Sequence, residues 1–258
     1  MLNLNQIEEY FEKNLTRINP KGVIIEYLQY EVLDSLFKQR GSENLSFIGG
    51  TAIRIIHNSQ RFSEDLDFDN FGLNYNEFKE IMARALKELE LKGFSVEERF
   101  LSKDKNYHCY IKFKDILQSF DIAKDKKEKI FLSIDVEKKE KIGQSELKII
   151  NKFGVFRKIP VNLPQVLLSQ KLLAILFRKR EKGRDFYDTS FLSAKTKPDY
   201  EYIEKITGLD KQEFIDKIKT KCAKLNFKHL ANDVEPFLFD VQKKDRVLDF
   251  KEELDNIL

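Results

Sequence analysis

The chain has 258 residues, 41% of them apolar, enough to bury one large core or two smaller ones and too apolar for a disordered polypeptide. Its 46 Lys and Arg against 43 Asp and Glu leave a net charge of +3, a surplus too small to demand a polyanionic partner by itself. The opening residues lack the basic start and apolar core of a leader, and no stretch approaches the roughly 20 apolar residues of a membrane span, so a soluble cytoplasmic protein is expected. Cys109 and Cys222 stand far apart and His57, His108 and His229 share no ligand spacing, so neither a zinc site nor a disulfide framework is suggested and no thiol nucleophile is expected.

In chain order, residues 7–18 (IEEYFEKNLTRI) and 22–41 (GVIIEYLQYEVLDSLFKQRG) carry apolar residues at three- and four-residue intervals and predict helices that brace the strands after them. LSFIGG (45–50) is a short apolar run ended by glycines, TAIRIIHNS (51–59) makes about two helical turns, and DLDFD (65–69) alternates as a strand does. NYNEFKEIMARALKELELKGF (74–94) has an Asn cap, helical periodicity and a glycine stop. SVEERFLS (95–102), HCYIKFKD (108–115) and FLSIDVEKK (131–139) are strand-like, and the lysine-rich AKDKKEK (123–129) reads as a solvated hairpin connection. After the prolines of KIPVNLP (158–164), QVLLSQKLLAILFRKREKG and RDFYDTSFLSA predict two helices separated by Gly183, and the remainder is helical in pattern. The expected architecture is a two-domain α/β (α+β) protein. Residues 1–160 form a mixed β-sheet domain with flanking helices, and 161–258 a helical bundle.

One constellation carries chemistry. On a strand, Asp65 and Asp67 point to the same face, and two anions side by side are destabilising unless a cation joins them. Mg²⁺ is the expected one, because it takes oxygen ligands and keeps positions for water and phosphates. Gly49 and Gly50 feed a helix N-terminus, where bare backbone N–H groups can approach phosphate oxygens, and Thr51 could add a hydroxyl. Each piece alone is commonplace. Their order, a glycine turn, a short helix, then Arg61, Ser63 and the Asp pair, lets the helix start and the aspartate strand converge.

The string Gly49, Gly50, Thr51, Ala52, then Arg61, Ser63, Asp65, Leu66, Asp67 and Phe68 resembles the signature of the AbiEii/AbiGii toxin family, nucleotidyltransferases of the DNA polymerase β-like superfamily. The resemblance implies that Gly49 and Gly50 hold the phosphates of an NTP, with Thr51, Arg61 and Ser63 nearby, and that Asp65 and Asp67 bind Mg²⁺. It also implies a third carboxylate on a neighbouring strand. Asp135, which shares a face with Ser133 opposite the apolar Leu132, Ile134 and Val136, is preferred to Asp121, and its role as metal ligand or general base stays open. Asp69 reads as the strand end.

QKLLAILFRKREKGRDFYD is similar to the family's later motif, here Lys171, Arg178, Arg184, Asp185 and Asp188. The resemblance implies a catalytic, charge-neutralising Lys171, with Arg184 and Asp188 near the nucleotide. Arg184 and Asp188 could instead pair along one helix, and Asp185 and Asp188 could position Lys171. From Lys171 to Lys197 eight Lys or Arg face three Asp or Glu, a basic stretch that would draw a polyanion. The implied function is Mg²⁺-dependent transfer of a nucleoside monophosphate from an NTP to an acceptor hydroxyl. The implied setting is the toxin of a toxin-antitoxin or phage-defence pair, with tRNA or another RNA as an acceptor and a cognate antitoxin as partner. Transfer to a small molecule or protein, and a non-catalytic nucleotide-binding module, are the alternatives.

Overall fold

The computed structural model describes residues 1–12, 15–120, 122, 129–140 and 145–258. Asp121 and most of the AKDKKEK connection lie outside them. The chain divides into two compact units. The first comprises Met1–Ala52, Phe62–Glu140 and Leu147–Val161, and the second is built mainly from Ile53–Arg61 and Asn162–Leu258.

The first unit holds α1 (Leu4–Glu8), α2 (Leu15–Ile18), α3 (Pro20–Leu36), β1 (Leu45–Ile48), the start of α4 (Gly49–His57), β2 (Leu66–Asn70), α5 (Tyr75–Leu91), β3 (Val96–Lys103), β4 (Asn106–Phe113), α6 (Ile116–Ser119), β5 (Ile130–Lys138), β6 (Ser145–Lys152) and β7 (Val155–Asn162). Where one helix was expected over 7–18, two short ones form, and Pro20 opens α3 at the position where its missing N–H costs nothing. Asn74 caps α5 by accepting from the N–H groups of Asn76 and Glu77, while Glu77 reciprocates to the Asn74 N–H at 2.7 Å.

The strands form one mixed sheet in the order β3-β4-β5-β2-β1-β7-β6. β2 runs antiparallel to β1 and parallel to β5, β4 is antiparallel to both β3 and β5, and β1 is parallel to β7. The side-chain period of two gives β4 and β5 one apolar face, with Cys109, Ile111, Leu132 and Ile134 fully buried on the side where α3 and α5 pack. Buried α3 must satisfy its own charges. Glu26 accepts from Lys152 at 2.7 Å, Glu31 and Asp34 share Lys92 at 2.7 Å, and Asp34 also takes Arg157. Burial pushes the Asp34 carboxyl up, but Lys92 and Arg157 outweigh it and hold the group below its ordinary value.

The β6–β7 hairpin was not expected. SELKIINK and VFRKIPVN meet at Phe153-Gly154, both with positive φ (57° and 78°), the backbone of a tight hairpin turn.

The second unit holds the rest of α4 and α7 (Pro164–Phe177), α8 (Gly183–Ser193), α9 (Tyr200–Thr207), α10 (Lys211–Cys222), α11 (Phe227–Val234), α12 (Asp245–Leu248) and α13 (Phe250–Ile257). Gly183 begins α8, whereas separation of two helices was its expected task. A Cβ there would sit 1.9 Å from the Leu230 carbonyl oxygen, so only glycine lets α8 start against the backbone of α11. Phe186, Phe227 and Phe250 form an edge-on and stacked aromatic cluster at the centre of this unit.

Candidate active site

Asp67 lies within β2, and its register makes the site. It lies opposite Ile48 on β1 and opposite Asp135 on β5. Residues paired across adjacent strands project to the same side, so Asp67 and Asp135 share one face at a strand spacing of about 4.8 Å, and Asp65 stands just before the start of β2. Gly49 completes the row. It has φ 76°, and a Cβ built on it would fall 2.2 Å from Asp67 Oδ2 and 2.9 Å from Asp67 Cγ. Glycine is thus required twice, once for the left-handed turn from β1 into α4 and once for the close approach of the backbone to the Asp67 carboxylate.

Two hydrogen-bonded props hold the aspartate segment. Fully buried Thr51 donates its hydroxyl to the Asp65 carbonyl oxygen, tying the first turn of α4 to the residue before β2. That proton is committed to the backbone, so the geometry makes Thr51 a positioning residue where a phosphate contact was expected. Gln29, buried on α3, donates to the carbonyls of Ser63 and Glu64 at 2.9 and 3.0 Å. Gln29 was not singled out from sequence, because a glutamine within an apolar helix signals nothing until the partner 34 residues away is seen.

Asp135 has local partners of its own. Ser133 donates to both carboxylate oxygens at 3.0 Å, and His108 Nδ1 lies 2.5 Å from Oδ1, its strand residue directly opposite Asp135 on β4. His108 too went unrecognised as a site neighbour, since only strand register relates it to an acid 27 residues on. Among the described residues no three His, Cys, Asp or Glu side chains are drawn together as a metal-binding cluster. The donor chemistry nevertheless suits a hard divalent cation: Asp67 and Asp135 from paired positions on adjacent strands, with Asp65 just before β2, beside a cradle that a Cβ at Gly49 would fill.

A family model for the nucleotidyl transferase AbiEii toxin of type IV toxin-antitoxin systems matches residues 31–256. The chain belongs to the AbiEii nucleotidyltransferase toxin family. It is accordingly a nucleotidyltransferase, and its membership of a type IV system implies an NTP substrate and a cognate antitoxin. The fold agrees with solved structures of low sequence identity. MenT4, the nucleotidyltransferase toxin of Mycobacterium tuberculosis H37Rv, superposes with TM-score 0.61 at 18% identity over 99% of this chain and 90% of its own. JHP933 of Helicobacter pylori superposes with TM-score 0.58 at 17% identity over 92% and 91% of the two chains. No curated protein matches in sequence. No helix among the described residues is long and apolar enough to cross a membrane.

The AbiEii chain's later motif forms a separate cluster within the helical unit. Arg61, 1% exposed, donates from Nε and Nη2 to the two oxygens of Asp188 at 2.7 and 2.5 Å. The Lys171 ammonium lies 3.0 Å from Asp185 and 2.9 Å from Asp188, and Arg178 reaches Asp185 at 3.3 Å. Burial pulls the Arg61 and Lys171 cations down, but Asp188 and Asp185 outweigh it and leave both raised. Burial likewise pushes Asp188 up, and Arg61 with Lys171 brings it below the ordinary carboxylate value. Full burial and a two-pronged ion pair give the Arg61 and Asp188 side chains to each other, where a place near the nucleotide was expected of them. Asp188 turns to Arg61 and Lys171, and the Arg184 guanidinium lies 4.5 Å over the Phe237 ring.

Proposed function

We propose that this AbiEii enzyme transfers a nucleoside monophosphate from an NTP to the terminal hydroxyl of an RNA acceptor, tRNA being the leading candidate, with release of pyrophosphate in a Mg²⁺-dependent reaction. The observation that carries the reading is the contact of Gly49 with the Asp67 carboxylate, which brings a phosphate-binding turn and a metal-binding acid to one point. Asp65, Asp67 and Asp135 would hold Mg²⁺, which when bound neutralises the phosphates and draws charge from the attacked phosphorus. The Gly49-Gly50 N–H groups at the start of α4 take phosphate oxygens, with Ser63 beside them. Asp135, oriented by Ser133 and His108, accepts the proton of the attacking hydroxyl or serves as a ligand.

The test supplies each α-labelled NTP with Mg²⁺ to the protein and to an Asp65→Ala/Asp67→Ala variant, offering tRNA, other RNA, protein extract or small hydroxyl compounds. Label on tRNA with the wild type alone is the expected outcome. Label confined to protein or a small molecule would replace the acceptor, and nucleotide binding without transfer in every pool would overturn the reaction.

A further inference from the structure

Asp67 and Asp135 divide the open face of the sheet unequally. On one side stand β1 and the Gly49 turn, which the proposed function gives to the triphosphate. On the other lie β4 and β3, two whole strands extending about 10 Å beyond Asp135 by the usual strand spacing, and of their open-face side chains His108 alone belongs to the carboxylate site.

This stretch of sheet is unusual in what it exposes. Phe131 on β5 is 63% exposed, Leu101 on β3 40% and Tyr110 on β4 37%. Register places them on the same face as the acids: Leu101 opposite His108, which is opposite Asp135, and Phe131 opposite Lys112. Tyr110 stands between Ser133 on β5 and Arg99 on β3, and its ring lies parallel to the His108 ring at 12° with centroids 6.2 Å apart. Arg99, Lys103 and Lys112 put three cations on the β3–β4 part of this face, where Glu97, paired by Lys112 and Lys114, is the one carboxylate; on β5 the face also carries Glu137, which Lys139 pairs.

The pattern selects among occupants. A purely apolar partner would leave the cations buried and unpaired, and an acidic peptide would answer the cations while leaving exposed rings unused. A single-stranded polynucleotide answers both, since its bases stack on aromatic rings and its phosphates take Lys and Arg. The charge complementarity and the continuity of this face with the carboxylate row point the same way.

We propose that the open face of β3, β4 and β5 is an acceptor platform, on which the 3′-terminal single-stranded segment of a polynucleotide stacks its bases on Tyr110 and Phe131 and sets its phosphates on Arg99 and Lys112. The terminal hydroxyl then points toward Asp135, and this last element rests on the proposed acceptor chemistry. Donor and acceptor thus occupy opposite sides of the acidic row, each recognised by its own strands.

Binding can be measured without catalysis. Fluorescence anisotropy of the full chain with a labelled twelve-nucleotide single-stranded RNA, its DNA counterpart, the RNA duplex and an acidic peptide supplies the arms. The Tyr110→Ala/Phe131→Ala variant is expected to weaken single-strand binding by roughly 30-fold or more, from ~1–3 kcal/mol for each of two stacked bases at about 1.4 kcal/mol per tenfold. Tyr110→Phe should retain it. Thermal unfolding and NTP affinity should be unchanged in both, the altered side chains being exposed ones outside the triphosphate side. The RNA and DNA arms distinguish the sugar, and tight binding of either strand supports the platform. Unchanged strand affinity in the double variant, or preference for the peptide, overturns it. Should the variant lose strand binding while the wild type transfers no nucleotide to RNA, the platform stands and the acceptor chemistry falls. Should the wild type transfer to RNA with an acceptor KM that the double variant shares, the platform falls and the acceptor chemistry stands.

Discussion

The acidic row on the sheet and the ionic cluster in the helical unit are built from the same residue types and treat charge in opposite ways. Asp67 and Asp135 set like charges side by side on one face, with Asp65 just before β2 and the Asp135 side chain 32% exposed. Around Asp188, whose side chain is fully buried, charges of opposite sign alternate, Arg61 and Lys171 against Asp185 and Asp188. Like charges held together store an attraction for a cation and suit chemistry. Alternating charges out of water satisfy one another and suit architecture, although removal of one partner leaves the other stranded.

The largest difference between the two regions should appear on chelation. EDTA is expected to abolish transfer, and added Mg²⁺ to restore it, while the unfolding midpoint of the helical unit stays in place. A midpoint that fell with chelation would tie the metal to the fold. In the other direction, Asp188→Ala should cost about 3–5 kcal/mol of stability, because it strands Arg61 and Lys171 in the interior. Denaturant titration reads this directly, and a loss under about 1 kcal/mol would make the cluster incidental. The same cluster sets an acid limit. Asp188 is held below its ordinary value, so its contribution is complete above the unfolded carboxylate pKa of about 3.9 and is lost as pH falls through the lower folded value. Arg61 and Lys171 are raised, so theirs is complete below their ordinary values and is lost only in strong base. Stability from this network should therefore be level from about pH 5 to 9, and Asp188→Asn should remove the acid-dependent component.

Smaller effects probe the props of the acidic row. Gly49→Ala should cost about 1–2 kcal/mol from the left-handed backbone alone, and its contact with Asp67 should reduce transfer more than stability. Equal loss of both would mean the glycine serves only the turn. Thr51→Val removes one buried donor from the Asp65 carbonyl and should cost about 1 kcal/mol, visible as a shift of a few degrees in melting. A neutral Thr51→Val would mean the Asp65 segment is held by Gln29 alone.

Much of this arrangement was legible in the amino-acid order, because the features concerned are local. The glycine turn, the short helix and the DLDFD strand lie within one short stretch, residues 47–69, and alternation around Asp135 marks its polar face without any knowledge of its neighbours. Relations that depend on register or long-range exchange were not legible. Nothing near His108 signals that it faces Asp135, and nothing in Arg61, read beside Ser63 and the Asp pair, signals that its segment packs with helices more than a hundred residues on. Burial reversed the apparent role of Arg61 for this reason: a basic residue beside a phosphate motif invites a phosphate contact until its carboxylate partner is seen. The β6–β7 hairpin was a different case. Its alternation and turn were present in SELKIINKFGVFRKIPVN, but the non-Gly Phe153 at positive φ disguised the turn.

The most direct test compares wild type with Asp67→Asn, a change that keeps the side chain's shape against Gly49 and removes its charge. Transfer of α-labelled NTP should fall by about 10³-fold, the several kcal/mol a bound divalent ion contributes to the transition state, with the melting temperature unchanged. Transfer at the wild-type rate by a folded Asp67→Asn protein would contradict the assignment of the carboxylate row as the seat of the chemistry.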